Sequence, residues 1–392
     1  MRRSALEDAP TESSNPKTVG YLQWIGSEDG QGIYLYICSA PPHVVHPENQ
    51  AAWLNASKSA LEVGPAPYTH PGPDQLVIRN AAIGINPIDW LKQSLGEGIL
   101  PHIRYPTIFG EDIAGTVVAT GEGVTRFHVG DRVFAVAGLI PSNNTPEGAF
   151  QLYTIAREWL TCPLPASISF EQGCALPLAL IVAGLGLFGK EYLGLDLPTV
   201  PARPKDEIRP GAIIIAGGAS AVGGTAVQLA SQAGYEVIST SSPKNFDLVK
   251  SLGAAQVVDY HSPTITDDLR QAVQGRELVG AFSLGDGTAD YLADVLNSHE
   301  GPVNNFIARA EGKHDVPEEG DVVVKFILIS PQVIGPDTPL RPIFEDYLPK
   351  ALDGQFVPRP TPEVVGKGLD QIQNAMDVLR KGVSAKKIVV QL

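Results

Sequence analysis

The segment IIIAGGASAVGGTAVQLASQAGYEVIST, residues 213–240, restricts the fold more than any other part of the chain. It reads as an apolar strand, a glycine-rich turn, a helix and a second strand, about the length of one βαβ unit. Amides at a helix start and the positive end of its dipole attract a pyrophosphate, and glycine lets the backbone approach it. Gly217, Gly218, Gly223 and Gly224 provide that room. Any sharp strand-to-helix turn selects glycine for backbone reasons alone. The strand before and the helix after are what make this a dinucleotide site.

The end of the second strand bears on which dinucleotide. An NAD site holds the ribose hydroxyls with a carboxylate about 20 residues past the glycines, whereas a 2′-phosphate calls for hydroxyls and a cation. Here the strand runs into Thr240, Ser241 and Ser242, then Pro243, Lys244 and Asn245, and the nearest carboxylate, Asp247, falls on the next helix. NADPH is the expected cofactor. A solvated turn with a surface lysine is the competing reading.

The segments around this unit set the fold class, α/β. Downstream, helical TAVQLASQAG and FDLVKSLGA alternate with YEVISTS, QVVDY and DVVVKFILIS, which predicts a parallel sheet covered on both faces. Upstream, QLVIRNAAIGI, IAGTVVATG, DRVFAVAG and GAFQLYTIA are short β-rich runs between Gly and Pro clusters, the pattern of a compact β domain. FEQGCALPLALIVAGLGLFGKEY reads as one apolar helical stretch leading to a proline-rich connection. PIFEDYLPKALDGQF and VGKGLDQIQNAMDVLRKG read as amphipathic helices, and the final strand AKKIVVQL is expected to return to the first domain. A single core stops growing at roughly 250–300 residues, so 392 residues suit two domains. The expected division is 49–176 with 340–392 as the β-rich catalytic domain and 177–339 as the cofactor domain. Residues 1–48 lack a sustained period and are expected to be an extension, either a disordered tail or an arm of unknown role.

Composition excludes several classes. The net charge of −14 argues against a nucleic-acid partner, because phosphate binding needs clustered Lys and Arg. No uninterrupted apolar run reaches about 18 residues, so no membrane span is expected. Cys38, Cys162 and Cys174 are odd in number and far apart, which suits a reducing compartment rather than a disulfide framework. The start, MRRSALEDAPTESSNPK, lacks the apolar region of a secretory signal, and a cytoplasmic location is expected.

No metal is expected either. A catalytic zinc site needs Cys and His ligands, and where a zinc alcohol dehydrogenase of this kind carries Gly-His-Glu the chain has FGEDIAG, with Glu111 after Gly110. His102 and His128 stand alone. Without zinc the chain can still reduce a carbon that is already electrophilic, such as the β-carbon of an enone, an enoyl thioester or a quinone, given hydrogen-bond donors for the enolate oxygen. Tyr68, Tyr105 and Tyr153 are candidate proton donors, and Trp90 and Phe150 candidate cleft walls; packing roles are the more ordinary reading of all five. The acidic stretch from Asp315 to Asp321 reads as a solvated loop. No catalytic residue is assigned.

The runs NAAIGINPIDW and PTIFGEDIAGTVVATGEGVTRFHVGDRV, the glycine turn and SPKNFDLVKSLGA resemble the zinc-free medium-chain dehydrogenase/reductases of fungi, closest to trans-acting enoyl reductases that partner polyketide synthases. The resemblance covers Gln50 to Leu392. It implies a GroES-like β domain, split in sequence, around a Rossmann-type doubly wound sheet, and NADPH as cofactor. Carried over by motif, the cofactor contacts are Ile88, Asp89, Trp90 and Leu91, then Ala219, Ser220, Ala221, Val222, Gly223, Gly224, Thr225 and Ala226 on the turn. Ser242, Pro243, Lys244, Asn245, Tyr260, Leu284, Gly285, Val383 and Ser384 complete the set. The acyl pocket would include Pro177, Leu178, Ala179, Leu180, Ile181, Val182, Ala183 and Gly184.

The chain departs from the family pattern twice. Leu91 stands two residues after the aspartate of NPxD, where the family usually has lysine, and Lys92 follows one position late. Ile181 and Val182 stand where Ser-Thr is frequent. The function so implied is NADPH-dependent reduction of an activated C=C bond in secondary metabolism, on a small-molecule or acyl-carrier-bound substrate, by a monomer or homodimer. The alternatives are a quinone or alkenal oxidoreductase and an NADPH-binding partner protein without turnover.

Overall fold

The structure, a computed structural model, describes residues 20–26, 32–38, 47–98, 103–138, 144–203, 211–311, 321–330 and 334–392, with the backbone alone for 20–38. It separates into two compact units, Met1–Pro47 and Glu48–Leu392. In the first, β1 (Gly20–Gly26) and β2 (Gly32–Cys38) pair antiparallel, Tyr21 opposite Ile37 and Trp24 opposite Tyr34. Both strands lie within the extension expected at residues 1–48. GYLQWIG and GIYLYIC are rich in aromatic and β-branched residues around a turn-prone stretch, a hairpin signal that a search for a longer period passes over.

The second unit opens with β3 (Asn49–Leu54), β4 (Leu61–Ala66) and β5 (Gln75–Gly84). Helix α1 (Pro87–Leu95) follows, started by Asn86 as cap and Pro87 at its first position, where a missing N–H is harmless. Next come β6 (Thr107–Ile108), β7 (Asp112–Thr120), β8 (Arg132–Val136), β9 (Tyr153–Arg157) and β10 (Thr161–Pro163). In GAFQLYTIA the strand covers only the second half, because residues 148–152 bend to pack Phe150 fully into the core.

The apolar stretch expected as one helix is two, α2 (Phe170–Gly173) and α3 (Pro177–Phe188). Pro177 is the reason: it lacks an N–H and forbids the preceding residue from continuing a helix comfortably. By length and composition Phe170–Phe188 is apolar enough to cross a membrane, yet 78% of that stretch is buried inside the protein. Its apolarity is that of a core helix.

The βαβ region then runs through β11 (Ala212–Ile215), α4 (Ala221–Gln232), β12 (Glu236–Ser241), α5 (Phe246–Ser251), β13 (Gln256–Asp259), α6 (Ile265–Val273), β14 (Leu278–Ser283), α7 (Thr288–Asn297), β15 (Phe306–Arg309) and β16 (Val323–Phe326). A continuous helical segment, α8 (Leu340–Pro342), a π-helical stretch Ile343–Tyr347 and α9 (Leu348–Ala351), leads to β17 (Thr361–Lys367), α10 (Ile372–Arg380) and β18 (Lys386–Gln391). VGKGLDQIQNAMDVLRKG is therefore the end of a strand and one helix, not a helix throughout.

Three sheets organise this unit among the described residues. The parallel sheet has the order β13-β12-β11-β14-β15-β16, as expected of a doubly wound fold. A seven-stranded sheet has the order β10-β8-β7-β5-β18-β17, with β9 also on β5, and a small one has β4-β3-β6. Strand β18 pairs with β5, Val389 opposite Gly84, so the last strand does return to the first sheet. One hydrophobic cluster runs from Phe134 and Cys162 of the mixed sheet through α3 to Ile213, Ile215 and Phe282 of the parallel sheet, so α3 is packed between the two layers.

Candidate active site at the edge of the parallel sheet

The order of the parallel sheet reverses between β11 and β14, and open α/β sheets bind ligands in the crevice beyond the C-terminal ends of strands at such a point. The glycine turn lies there. Gly217 has φ +69°, which favours glycine, and a Cβ on Gly223 would stand 2.2 Å from the Gly217 carbonyl oxygen. Ser220 caps α4, its Oγ accepting from Gly223 N at 3.0 Å. Strand β12 braces the turn through Thr240, whose Oγ1 accepts from Gly217 N at 3.2 Å and whose carbonyl accepts from Gly218 N at 3.0 Å.

The residues fit a dinucleotide on two further observations. Thr225 Oγ1, inside the first turns of α4, and Ser241 Oγ, at the end of β12, are buried without a hydrogen-bond partner among the described residues. Such hydroxyls are costly unless something pairs with them.

Other expected contacts gather at this edge. A Cβ on Gly217 would be 3.2 Å from the Leu284 carbonyl oxygen, so the Leu284–Gly285 loop abuts the turn. Asn245 Nδ2 donates to Ser242 Oγ at 3.1 Å and reaches Ser384 Oγ at 3.4 Å, which joins the SPKN turn to the loop before β18. Lys244 is exposed there, and so is Tyr260, whose amide donates to Ser241 O. Val383 is exposed beside Ser384.

The NPID segment divides. Ile88 packs on the cluster shared with α3 and β11, while Trp90 packs on the core of the mixed sheet, under the Arg380 guanidinium at 5.6 Å. Leu91 is half-buried, and the Asp89 side chain points inward. Of Pro177–Gly184, only Val182 is part-exposed; Leu178 N donates to Asp112 Oδ1 at 2.7 Å and Gly184 faces Ile343 and Leu340. The run is a core helix that shows the crevice little of its surface.

Two buried charge clusters underlie the mixed sheet, and sequence reasoning anticipated neither. Lys92, one helical step past Leu91, forms a buried ion pair with Glu111, the residue at the zinc-histidine position. Asp89 accepts from Asn86 N at 2.8 Å and faces the same Glu111. Burial first, then the Glu111 charge, holds the Asp89 carboxyl well above the ordinary carboxylate range, against the pull of Lys92. In the second cluster Asp112 Oδ2 accepts from Lys387 Nζ at 2.6 Å and Asn86 Nδ2 at 2.9 Å. The only sequence signal was charge inside apolar strands, FGEDIAG and AKKIVVQL.

Among the described residues no three His, Cys, Asp or Glu side chains converge as a metal-ligand set. His128 is exposed beside Asp131; His102 and the 315–320 part of the acidic stretch lie outside the described residues, as does the side chain of Cys38. Burial pushes the thiols of Cys162 and Cys174 up, which keeps them protonated. Tyr68 and Tyr153 meet edge to face at 5.4 Å, and the Tyr105 hydroxyl is buried in packing.

Comparison with known proteins agrees with this geometry. Residues 72–166 match the alcohol dehydrogenase GroES-like domain. The dehydrogenase pigH of Monascus ruber is 42% identical over 375 residues, covering 88% of this chain and all of the relative. The trans-enoyl reductase himH of Aspergillus japonicus is 34% identical over 360 residues, covering 88% and 97%. The crystal structure of CurK enoyl reductase superposes with a TM-score of 0.67 at 20% identity, covering 88% of this chain and 99% of that one. A parallel sheet with a glycine turn at its switch point, joined to a GroES-like sheet that takes back the last strand, places the chain in the medium-chain dehydrogenase/reductase superfamily of nicotinamide-dependent oxidoreductases, with fungal dehydrogenases and trans-enoyl reductases as relatives.

Proposed function

We propose that the chain is a zinc-independent, NADPH-dependent reductase of activated C=C bonds, an enoyl reductase that serves a polyketide synthase in the cytoplasm. The observation that carries the cofactor choice is the end of β12: buried Thr240, Ser241 and Ser242, then exposed Lys244, with no carboxylate to meet a ribose diol. Relatives named trans-enoyl reductase support the substrate class.

In this reading residues 49–176 and 340–392 form the catalytic domain and 177–339 the cofactor domain. Gly217 to Ala226 would hold the pyrophosphate on the start of α4, and Ser242 to Asn245 the 2′-phosphate, with Tyr260 beside it. Leu284, Gly285, Ile88, Trp90, Leu91, Val383 and Ser384 would flank the remainder, and Val182 would present the apolar wall toward an acyl chain. NADPH, when bound, supplies the hydride that the β-carbon accepts. The chain's task is then to orient that carbon, exclude water and meet the developing enolate oxygen with backbone amides or hydroxyls. Lys92 and Asp89 are engaged in the buried Glu111 cluster, so the proton for the α-carbon comes from another group or from water.

The test is oxidation of NADPH, in parallel with NADH, against a crotonyl or longer enoyl thioester and against a free naphthoquinone. Thioester reduction with NADPH preferred is the expected result. Quinone turnover alone would establish the detoxifying alternative; the Leu91, Ile181 and Val182 departures bear instead on a binding protein without turnover. Cofactor binding with neither turnover would leave a binding partner protein.

A further inference from the structure

A carboxyl outside every residue set discussed so far lies at the same sheet edge. Glu311 follows β15. Ser283 Oγ, the last residue of β14, donates to Glu311 Oε1 at 2.5 Å; Thr288 Oγ1, the first residue of α7, is 2.5 Å from Ser283 Oγ and 3.4 Å from that carboxylate oxygen. Glu311 Oε2 is buried without a hydrogen-bond partner among the described residues. The network thus ties together the ends of β14 and β15 and the start of α7. Between β14 and α7 runs the loop 284–287, where Gly285 has φ +111° and Gly287 φ +75°, and where Leu284 abuts Gly217 of the glycine turn. Strands in a sheet are about 4.8 Å apart, so Glu311, two strands from β11, stands roughly 10 Å from the strand that ends in that turn.

An ionised carboxylate that is half-buried, with one oxygen lacking a partner among the described residues, is disfavoured, and a dinucleotide arriving at this edge adds negative charge to it. The protonated acid carries no charge and gains a donor. We propose that Glu311 is a positioning residue for the cofactor, taking up a proton as the dinucleotide binds and so coupling affinity to pH through the loop 284–287. The proposal rests on the dinucleotide reading above. Opposing influences act on the group. Burial raises the carboxyl above its usual range, while Ser283, the Gly285 backbone and the Arg309 cation act against that rise. Among the described residues Tyr291 on α7 is a further titratable neighbour, and its phenol is itself raised by burial.

Calorimetric titration of the full chain with NADPH and with NADH, in buffers of different ionisation enthalpy, counts the protons taken up on binding. Wild type is expected to take up a fraction of a proton with both cofactors that Glu311→Gln does not, which separates it from the titration of the 2′-phosphate. The wild-type Kd is expected to weaken by up to about tenfold per pH unit on the alkaline side, and that of Glu311→Gln to vary less. Ser283→Ala, which removes a donor to the carboxylate, should move the uptake to higher pH. Proton uptake unchanged in Glu311→Gln, or cofactor binding by wild type without uptake, overturns the proposal while leaving the dinucleotide reading intact. Absence of binding heat with either cofactor sinks both.

Discussion

Lys387 Nζ lies 2.6 Å from Asp112 Oδ2, across 275 residues of sequence, and both side chains are buried. Asn86 joins them, accepting from Lys387 and donating to Asp112, while the other Asp112 oxygen receives Leu178 N at the start of α3. One carboxylate therefore fixes β7, β18, the NPID turn and the core helix. Removing a single partner of a buried pair strands the other charge. Lys387→Met is expected to lower unfolding free energy by about 3–5 kcal/mol, and the double substitution with Asp112→Asn to recover part of it. Urea unfolding of the single and double variants checks this; equal losses would show that the charge pair is not the cause.

Asp89 makes a pH-dependent contribution. Its carboxyl is held well above the ordinary range, so the folded chain keeps a proton that the unfolded chain loses near pH 4. Stability from this group is fully present below about pH 4 and is lost as pH rises toward the folded-state value. Asp89→Asn, which can still accept from Asn86 N, should show a shallower fall of melting temperature over that window than wild type.

The glycine turn is sensitive to one methyl group. In Gly223→Ala the new Cβ would stand 2.2 Å from a backbone oxygen, which no rotamer relieves. The turn must open, and NADPH affinity measured by fluorescence titration should fall at least tenfold, about 1.4 kcal/mol. Far-ultraviolet circular dichroism should stay close to wild type.

On the proposed NADPH reading, Lys244 is the residue that distinguishes the two nicotinamide cofactors. Lys244→Ala should weaken NADPH binding about tenfold and leave NADH unchanged, because only the former has a phosphate for an ammonium to meet. Equal losses for both would place Lys244 elsewhere than at the 2′-phosphate.

The fold was legible where local pattern and burial agree. AIII is buried at every position, α4 follows its glycine turn directly, and the final KKIVVQ carries the continuous apolar run IVV of a covered strand. Strands β14 and β15 were not legible. LVGAFS carries a glycine that favours φ +117° and FIAR ends in a charge, so both read weakly alone and become strands through neighbours far off in sequence. The paired strands Gly20–Gly26 and Gly32–Cys38 were missed for a different reason: their signal is two seven-residue runs, too short to show as a period.

The sequence by itself determined the βαβ unit, the glycine positions, the hydroxyl-rich end of β12 and the departure at Leu91, because each depends on residues close together in the chain. Only the tertiary structure decided which charges are spent. Lys92 and Glu111 are 19 residues apart, Asp112 and Lys387 are 275, and Ser283 and Glu311 are 28. Nothing local says whether such a group faces water or a partner. Burial sets that cost, and burial is a property of the packed layers rather than of any one segment.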